Sequence, residues 1–212
     1  MQPIEYKIED QEIIPLKYIT IDAETTGVAG RYPNCDFSAI DILQIGVISA
    51  DANLETLKEY DLRSILSPDV SPAPEALLTH KLFDNLDKGE KATEMFVKFE
   101  KIIQKEFDDN TIALLGYNSA AFDLPLFEHQ HYLNFQPPYN MKINSASVID
   151  VQHSTILALS LYPEMPRIFN ENGNIVTRLD VVADSLGISN DKAHDAVADC
   201  HMTNGIFKTF KE

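Results

Sequence analysis

The order of strand-like and helix-like segments is the feature that most constrains how this chain can fold. Three segments rich in β-branched, aromatic and apolar residues come first, at 18–21, 41–51 and 54–62. The short turn Asp51-Ala52-Asn53 between the last two predicts an antiparallel meander. Further strands are predicted at 111–118 and 147–152, and these alternate with helices. Strands first, then strands alternating with helices, predict an α/β layered fold with a mixed sheet.

Helices are predicted around these strands by apolar periodicity. The segment 91–107 carries one apolar stripe, typical of a helix packed on a core, made of Met95, Phe96, Phe99, Ile102, Ile103 and Phe107. The segment 67–82 predicts a proline-rich loop that leads into a short helix. Another short helix is predicted at 178–188, where Gly187 ends it. Other helices are predicted at 122–133 and 194–210, and the segment 162–177 has no periodicity and predicts a loop.

The composition predicts one domain. The 212 residues are 44% hydrophobic and 24% charged, which is enough for one sizeable core. We expect an N-terminal extension at 1–16 and a single domain at 17–212. No stretch is long enough to cross a membrane, and the N-terminus does not resemble an export signal. We therefore expect a cytoplasmic protein with no membrane partner, in which Cys35 and Cys200 are reduced thiols.

The charge limits the kind of nucleic-acid binding that is possible. The formal net charge is −16 and the sequence pI is about 4.6, whereas proteins that wrap nucleic acid through phosphates are usually basic. Two divalent cations held by carboxylates would change the net charge only from −16 to −12. Any nucleic acid would then be bound by few phosphate contacts near one strand end, without a long basic groove.

Two acids stand at the end of the first strand. Asp22 and Glu24 follow the apolar run "YITI", and because side chains alternate along a strand they point to the same side. Converging carboxylates repel one another unless a cation lies between them. Mg²⁺ suits such a pair because it prefers carboxylate oxygens and keeps water ligands. The alternative is an ordinary acidic strand end on the surface.

Two further acidic sites are weak signals on their own. Asp123, in "GYNSAAFDLPLF", begins a helix after a buried strand, where the helix dipole alone favours an acid. His194 and Asp199, in "AHDAVADC", would lie roughly 140° apart on a continuous helix. They can face one site only if His194 lies at or before the first turn. A capping acid and a surface histidine are the simpler interpretations of that pair.

Together, the three sites resemble a known family. The ordered set D-x-E, then F-D after a "GYN" strand, then H-x4-D near the C-terminus resembles the DEDDh 3′→5′ exonuclease superfamily, which has a ribonuclease H-like fold with helices on both faces of a mixed sheet. The resemblance spans residues 17–210. Stretches outside the motifs, above all "RLDVVADSLGISNDKAHDAVAD", are similar to the nuclease domain of the bacterial exonuclease I family, which degrades single-stranded DNA. That family has further domains beyond the third motif.

The resemblance implies a two-metal hydrolysis of phosphodiesters. Asp22 would bridge two Mg²⁺ ions, which Mn²⁺ can replace, Glu24 and Asp199 would hold the ion that carries the attacking water, and Asp123 would hold the other. His194 would act as the general base. The product would be a nucleoside 5′-monophosphate released from a 3′ end, with DNA favoured over RNA. Substrate contacts would come from Glu24, Arg178 and His80, although His80 is equally explained as core support.

Three alternatives remain open from the sequence. An RNA-trimming enzyme of the ribonuclease T or oligoribonuclease type would carry the same five residues. A phosphatase with a D-x-D-x-T motif would need an aspartate where this chain has Glu24, and would leave the His194 and Asp199 pair unexplained. A binding subunit without activity would normally have lost one of the ligands, and all five positions are filled here.

Overall fold

The computed structural model describes residues 16–27, 37–107, 111–139, 147–191 and 193–211. In these residues the chain forms one five-stranded sheet with the order β3-β2-β1-β4-β5. The strands are β1 (Leu16–Thr25), β2 (Ile42–Ala50), β3 (Thr56–Arg63), β4 (Thr111–Gly116) and β5 (Ser147–Asp150). The first three pair antiparallel, and β4 and β5 continue the sheet in parallel with β1. The prediction of an opening meander and a mixed sheet is confirmed.

Six α-helices surround the sheet within the described ranges. They are α1 (Pro74–His80), α2 (Ala92–Phe107), α3 (Asp123–Leu133), α4 (Val151–Leu161), α5 (Leu179–Ser185) and α6 (Ala196–Lys211), with two short 3₁₀ helices at Phe37–Ala39 and Phe83–Leu86. None of them combines the length and the apolar character that crossing a membrane requires. Each of the six α-helices corresponds to a predicted helix, with differences of a few residues at the ends, whereas the two 3₁₀ helices were not predicted.

Two of those ends differ for a physical reason. The strand predicted to reach residue 152 stops at Asp150, because its side chain accepts a hydrogen bond from the Gln152 amide and so caps α4. The last helix begins at Ala196 rather than at His194, whose φ of 69° is left-handed and cannot continue a helix. His194 therefore lies before the first turn.

The sheet separates two hydrophobic cores. On one face, alternate residues of β1, β2 and β4 pack against α2 and α3, with Phe96, Phe99 and Phe127 fully buried. On the other face, the intervening residues pack against α6 and its neighbours, including Cys200, Met202 and Ile206. Period-two alternation on β1 and β2 produces both faces, and the predicted helices on both faces are confirmed.

Some of the predictions fall outside the described residues. These are residues 1–15, which make up nearly all of the proposed N-terminal extension, and Cys35. The boundary between an extension and a domain at residue 17 therefore stays a prediction. Leu16 already belongs to β1, where it is paired with Thr111 of β4.

Candidate active site

The first part of the site is the carboxyl end of β1. Asp22 and Glu24 are half-buried there, and they point toward α6 because Ile19 and Ile21 occupy the opposite, fully apolar face. Across the sheet, Asp22 lies opposite Gly46 of β2 and Glu24 lies opposite a glutamine, Gln44. The end of β1 thus presents two carboxylates to the start of the last helix.

A close approach between β2 and α6 brings the second part of the site over the first. A Cβ atom on Gly46 would lie 2.4 Å from the backbone carbon of Ala196, a distance that no side chain tolerates. Just along the helix, the Cys200 thiol donates to the backbone oxygens of Gly46, at 3.5 Å, and Thr20, at 3.6 Å. Glycine at position 46 therefore lets the helix that carries Asp199 reach the strand that carries Asp22.

His194 and Asp199 face the site together because the chain turns sharply before α6. The left-handed backbone of His194 directs its amide to Oδ1 of Asp199, at 3.1 Å. One ligand atom each from Glu24, His194 and Asp199 lie within 4.8 Å of one another. The structure thus brings these three residues together. His194 lies before the first turn of α6, which is the position it needs if it is to face the same site as Asp199.

Asp123 joins them from α3. It is the first residue of that helix and is 5% exposed. The turn before it is tight: Asn118 is left-handed, and a Cβ on Gly116 would lie 2.5 Å from that of Ser119. The negative charge of Asp123 raises the pKa of both Asp22 and Glu24, so its carboxylate lies near theirs, although among the described residues the group within 4.8 Å holds only Glu24, His194 and Asp199.

Burial and mutual repulsion disfavour the ionised forms of all four carboxylates. Burial is the larger cause in each case, followed by the neighbouring negative charges for Asp22 and Glu24; these effects raise the pKa of Asp22 well above its ordinary value and that of Glu24 to about 8. Burial also raises the pKa of Asp123 and of Asp199 to about 7. Hard divalent cations such as Mg²⁺ relieve such repulsion and bind carboxylate oxygens. The residues therefore fit a divalent metal centre.

The sequence did not point to Asp150, which organises the turn before Asp123. Its carboxylate accepts hydrogen bonds from the backbone amides of Asn118, at 3.0 Å, and Ala120, at 3.1 Å, besides capping α4. Its charge also raises the pKa of Asp123. The available signal was an aspartate between a strand and a helix, which is a frequent N-cap.

Asp195 was missed as well, although it follows His194 directly. Its charge contributes to the raised pKa of Asp22, Glu24 and Asp199. Its partners include Gln44, a fully buried amide in a strand that is otherwise apolar except for Ser49. A buried polar side chain in such a strand is the signal that could have led to this contact, since it requires hydrogen-bond partners.

Besides Glu24, two residues were predicted to contact substrate, and they lie in very different surroundings. His80 is 8% exposed, and both ring nitrogens are within 3.1 Å of backbone atoms, the oxygen of Thr25 and the amide of Leu82. Burial, followed by the charge of His194, lowers the pKa of His80. In this position His80 braces the end of β1 against α1, and its contact with substrate stays a prediction.

Arg178 lies on the surface. Its side chain is 68% exposed and forms a bidentate pair with Asp180, in which Nε is 3.1 Å from Oδ1. The backbone of the preceding residue is held in place. The carbonyl oxygen of Thr177 accepts hydrogen bonds from the Tyr117 hydroxyl, at 2.8 Å, and from the side-chain amide of Gln152, at 3.2 Å. Arg178 is thus an accessible guanidinium on a fixed backbone, and its role toward substrate stays a prediction.

The family model described as Exonuclease matches residues 19–207. The chain belongs to this exonuclease family. The predicted resemblance to this exonuclease family is confirmed by that match. The phosphatase alternative has no support in this match.

Individual relatives support the same assignment. The exodeoxyribonuclease I of Haemophilus influenzae is 28% identical over 148 residues, which cover 68% of this chain and 30% of that protein. Exonuclease I of E. coli in complex with a dT13 oligonucleotide superposes with a TM-score of 0.80 at 23% identity, covering 92% of this chain and 41% of that one. A zinc-bound complex of the E. coli enzyme with single-stranded DNA gives a TM-score of 0.76 at 23% identity, covering 91% of this chain and 39% of that one. This chain therefore spans less than half the length of these relatives.

Proposed function

We propose that this chain is a metal-dependent 3′→5′ exonuclease that releases nucleoside 5′-monophosphates from the 3′ end of single-stranded DNA. The observation that carries the proposal is the meeting of Glu24, His194 and Asp199 within 4.8 Å in a chain of the exonuclease family. The buried carboxylates of Asp22 and Asp123 complete the set of five residues. DNA is favoured because a curated relative is an exodeoxyribonuclease and a structural relative binds dT13.

The four carboxylates would hold two Mg²⁺ ions, which Mn²⁺ can replace; they are Asp22, Glu24, Asp123 and Asp199. When bound, such ions supply the positive charge that activates water and stabilises the entering and leaving oxygens of an in-line displacement. The carboxylates offer no proton donor once ionised. Their oxygens would be engaged by the ions, so the imidazole beside them is the group that would accept a proton.

His194 would accept the proton of the attacking water on a ring nitrogen, since imidazole is a suitable general base near neutral pH. Its backbone is tied to Asp199 by the hydrogen bond of 3.1 Å, so the base and a metal ligand move as one unit. Arg178, with its exposed guanidinium, would bind a phosphate of the strand. Glu24 would contact the terminal nucleotide as well as the metal.

The test is a gel assay with single-stranded DNA labelled at the 5′ end, run with Mg²⁺, with Mn²⁺ and with EDTA. A ladder that shortens from the 3′ end is expected with either metal and not with EDTA. The variant Asp22→Asn should be inactive. The matched variant Asp84→Asn, at a side chain that is 85% exposed, should degrade DNA like the wild type.

A ribo-oligonucleotide of the same sequence, run in parallel, tests substrate choice. Faster shortening of RNA than of DNA would contradict the DNA assignment and favour the exoribonuclease alternative. If neither substrate were shortened by a folded protein that binds Mn²⁺, the proposed activity would be wrong, and the binding-subunit alternative would take its place.

A further inference from the structure

One row of side chains connects the candidate site to the edge of the sheet. Glu24 of β1 lies opposite Gln44 of β2, which in turn lies opposite Arg63 of β3. Residues directly opposite one another in antiparallel strands share a face, so all three point toward the start of α6. Of the three, only Glu24 belongs to the proposed metal centre.

Gln44 directs its hydrogen bonds at the residues that follow His194. Its side chain is fully buried; Oε1 accepts from the Ala196 amide at 3.2 Å and Nε2 donates to Oδ2 of Asp195 at 3.1 Å. Nε2 also donates to Oδ1 of Asp61 at 3.0 Å. A buried amide is costly unless its polar atoms are paired, and here the pairing joins β2 to the first turn of α6.

Arg63 holds the same carboxylate from the other side. Its Nη2 donates to Oδ2 of Asp195 at 3.1 Å, while its Nε and Nη2 also bind Asp61, with Nη2 at 2.9 Å. Oδ1 of Asp195 accepts from the Ala198 amide at 3.3 Å and so caps α6. Both oxygens of Asp195 are therefore engaged, one by the helix and one by the sheet.

His194 needs such support because its backbone is left-handed, with a φ of 69°. A residue other than glycine seldom adopts that backbone conformation unless the surrounding structure enforces it. The next residue, Asp195, is fixed to two strands and to the helix, which determines how the chain enters α6. We propose that Gln44, Arg63 and Asp195 form a positioning clamp that holds His194 over Glu24 and Asp199.

This inference rests on the proposed function, because it assigns the clamp to the placing of the general base. The clamp residues themselves touch neither substrate nor the reacting atoms. If the clamp acts through His194, then removing it from a protein that already lacks the imidazole should have no further effect on turnover. A clamp that only stabilises the fold would reduce turnover in both backgrounds.

The kinetic experiment compares Arg63→Gln and Asp195→Asn in the wild-type chain and in His194→Ala. In the wild-type chain, kcat on single-stranded DNA should fall on the order of tenfold to a hundredfold, as expected for a displaced catalytic group, with KM unchanged. In the His194→Ala background the same substitutions should give the same kcat as His194→Ala alone. Arg63→Lys, which keeps the charge and one donor, should recover part of the loss.

A second measurement does not depend on activity. The amide of His194, which donates to Asp199, should exchange its hydrogen faster in Arg63→Gln than in the wild type. The control Lys88→Gln removes an exposed cation paired with Asp84 at 3.5 Å, and should change neither exchange nor kcat.

The outcomes separate the two proposals. Equal losses of kcat in both backgrounds, a change in KM alone, or unchanged exchange at His194 would each contradict the clamp in an active enzyme. If the wild type degrades neither DNA nor RNA but exchange at His194 rises only in the clamp variants, the proposed function fails. The clamp would then stand as a device that fixes this turn without a catalytic purpose.

Discussion

At the scale of single residues, Asp22 shows the conflict between stability and function in this site. Its pKa is raised by burial and by the charges of Asp123, Asp199 and Glu24, so the folded state disfavours its ionised form. Without metal, we expect Asp22→Asn to raise the free energy of unfolding by roughly 1–2 kcal/mol, because one repelling charge is removed.

Addition of Mg²⁺ or Mn²⁺ should make the wild type more stable than Asp22→Asn. Selective binding to the folded wild type at a hundred times Kd contributes about 2.7 kcal/mol, and Asp22→Asn should gain much less. Thermal unfolding with and without metal measures both effects. A wild type whose Tm is unmoved by either ion would contradict the metal centre.

Glu106 is also a buried carboxylate, but its surroundings lower its pKa instead of raising it. Burial alone would raise its pKa, but hydrogen bonds from Lys17, Lys58, Tyr60 and Ser49 outweigh it and lower the pKa to about 2. A lowered pKa stabilises the fold above the unfolded value of 4.5, and this stabilisation is lost as the pH falls from there toward 2.

We therefore expect Glu106→Gln to lower the free energy of unfolding by roughly 2–3 kcal/mol at pH 7, since it leaves Lys17 and Lys58 without their buried partner. The difference from the wild type should shrink as the pH falls below about 4. Chemical denaturation over this pH range measures it. Glu90→Gln, at an exposed pair with Lys98, should cost under about 1 kcal/mol; an equal cost at both positions would contradict the role of burial.

At the scale of elements, the site depends on how closely α6 lies against β2. A Cβ on Gly46 meets the backbone of Ala196 at 2.4 Å, so Gly46→Ala must displace the helix that carries Asp199. We expect a loss of about 1–3 kcal/mol in the free energy of unfolding. We also expect kcat to fall in the protein that remains folded, because Asp199 moves with the helix. Gly205→Ala on α6 is the matched control, because its Cβ would meet only the Ile188 side chain, at 3.2 Å. Similar activity in the two variants would contradict this account of the helix position.

These element contacts also mark the limit of what the sequence could predict. Local patterns located each strand and helix, and motif order selected Asp22, Glu24, Asp123, His194 and Asp199 as the candidate residues. The contacts that fix those residues are not local: Gln44 and its partner Asp195 are 151 positions apart. A glutamine in a mostly apolar strand indicates that Gln44 needs hydrogen-bond partners, but no local pattern identifies Asp195 as one of them. The cap that this contact stabilises is why the start of the last helix was predicted two residues early.

At the scale of the whole molecule, charge limits how the enzyme holds its substrate. The net charge is −16, and many basic side chains of the described residues are already paired with carboxylates. Besides Arg178, the proposed phosphate contact, these are Lys17, Lys58, Arg63, Lys88, Lys98 and Lys208. If the proposed function holds, a strand of DNA would meet few cations that could replace its counterions, and the proposed metal centre would supply most of the local positive charge.

Binding should consequently depend only weakly on salt. Each phosphate neutralised on a single strand contributes about −0.7 to the slope of log K against log salt concentration, so one or two contacts predict a slope of roughly −1. Arg178→Gln should raise Kd and bring the slope closer to zero, because its exposed guanidinium is the proposed phosphate contact. Titration of labelled single-stranded DNA at several KCl concentrations, with Ca²⁺ in place of Mg²⁺, measures the slope, and Lys88→Gln should leave it unchanged. A slope steeper than about −4 would mean that the strand is held along a basic path, which would contradict an enzyme that grips only the 3′ end.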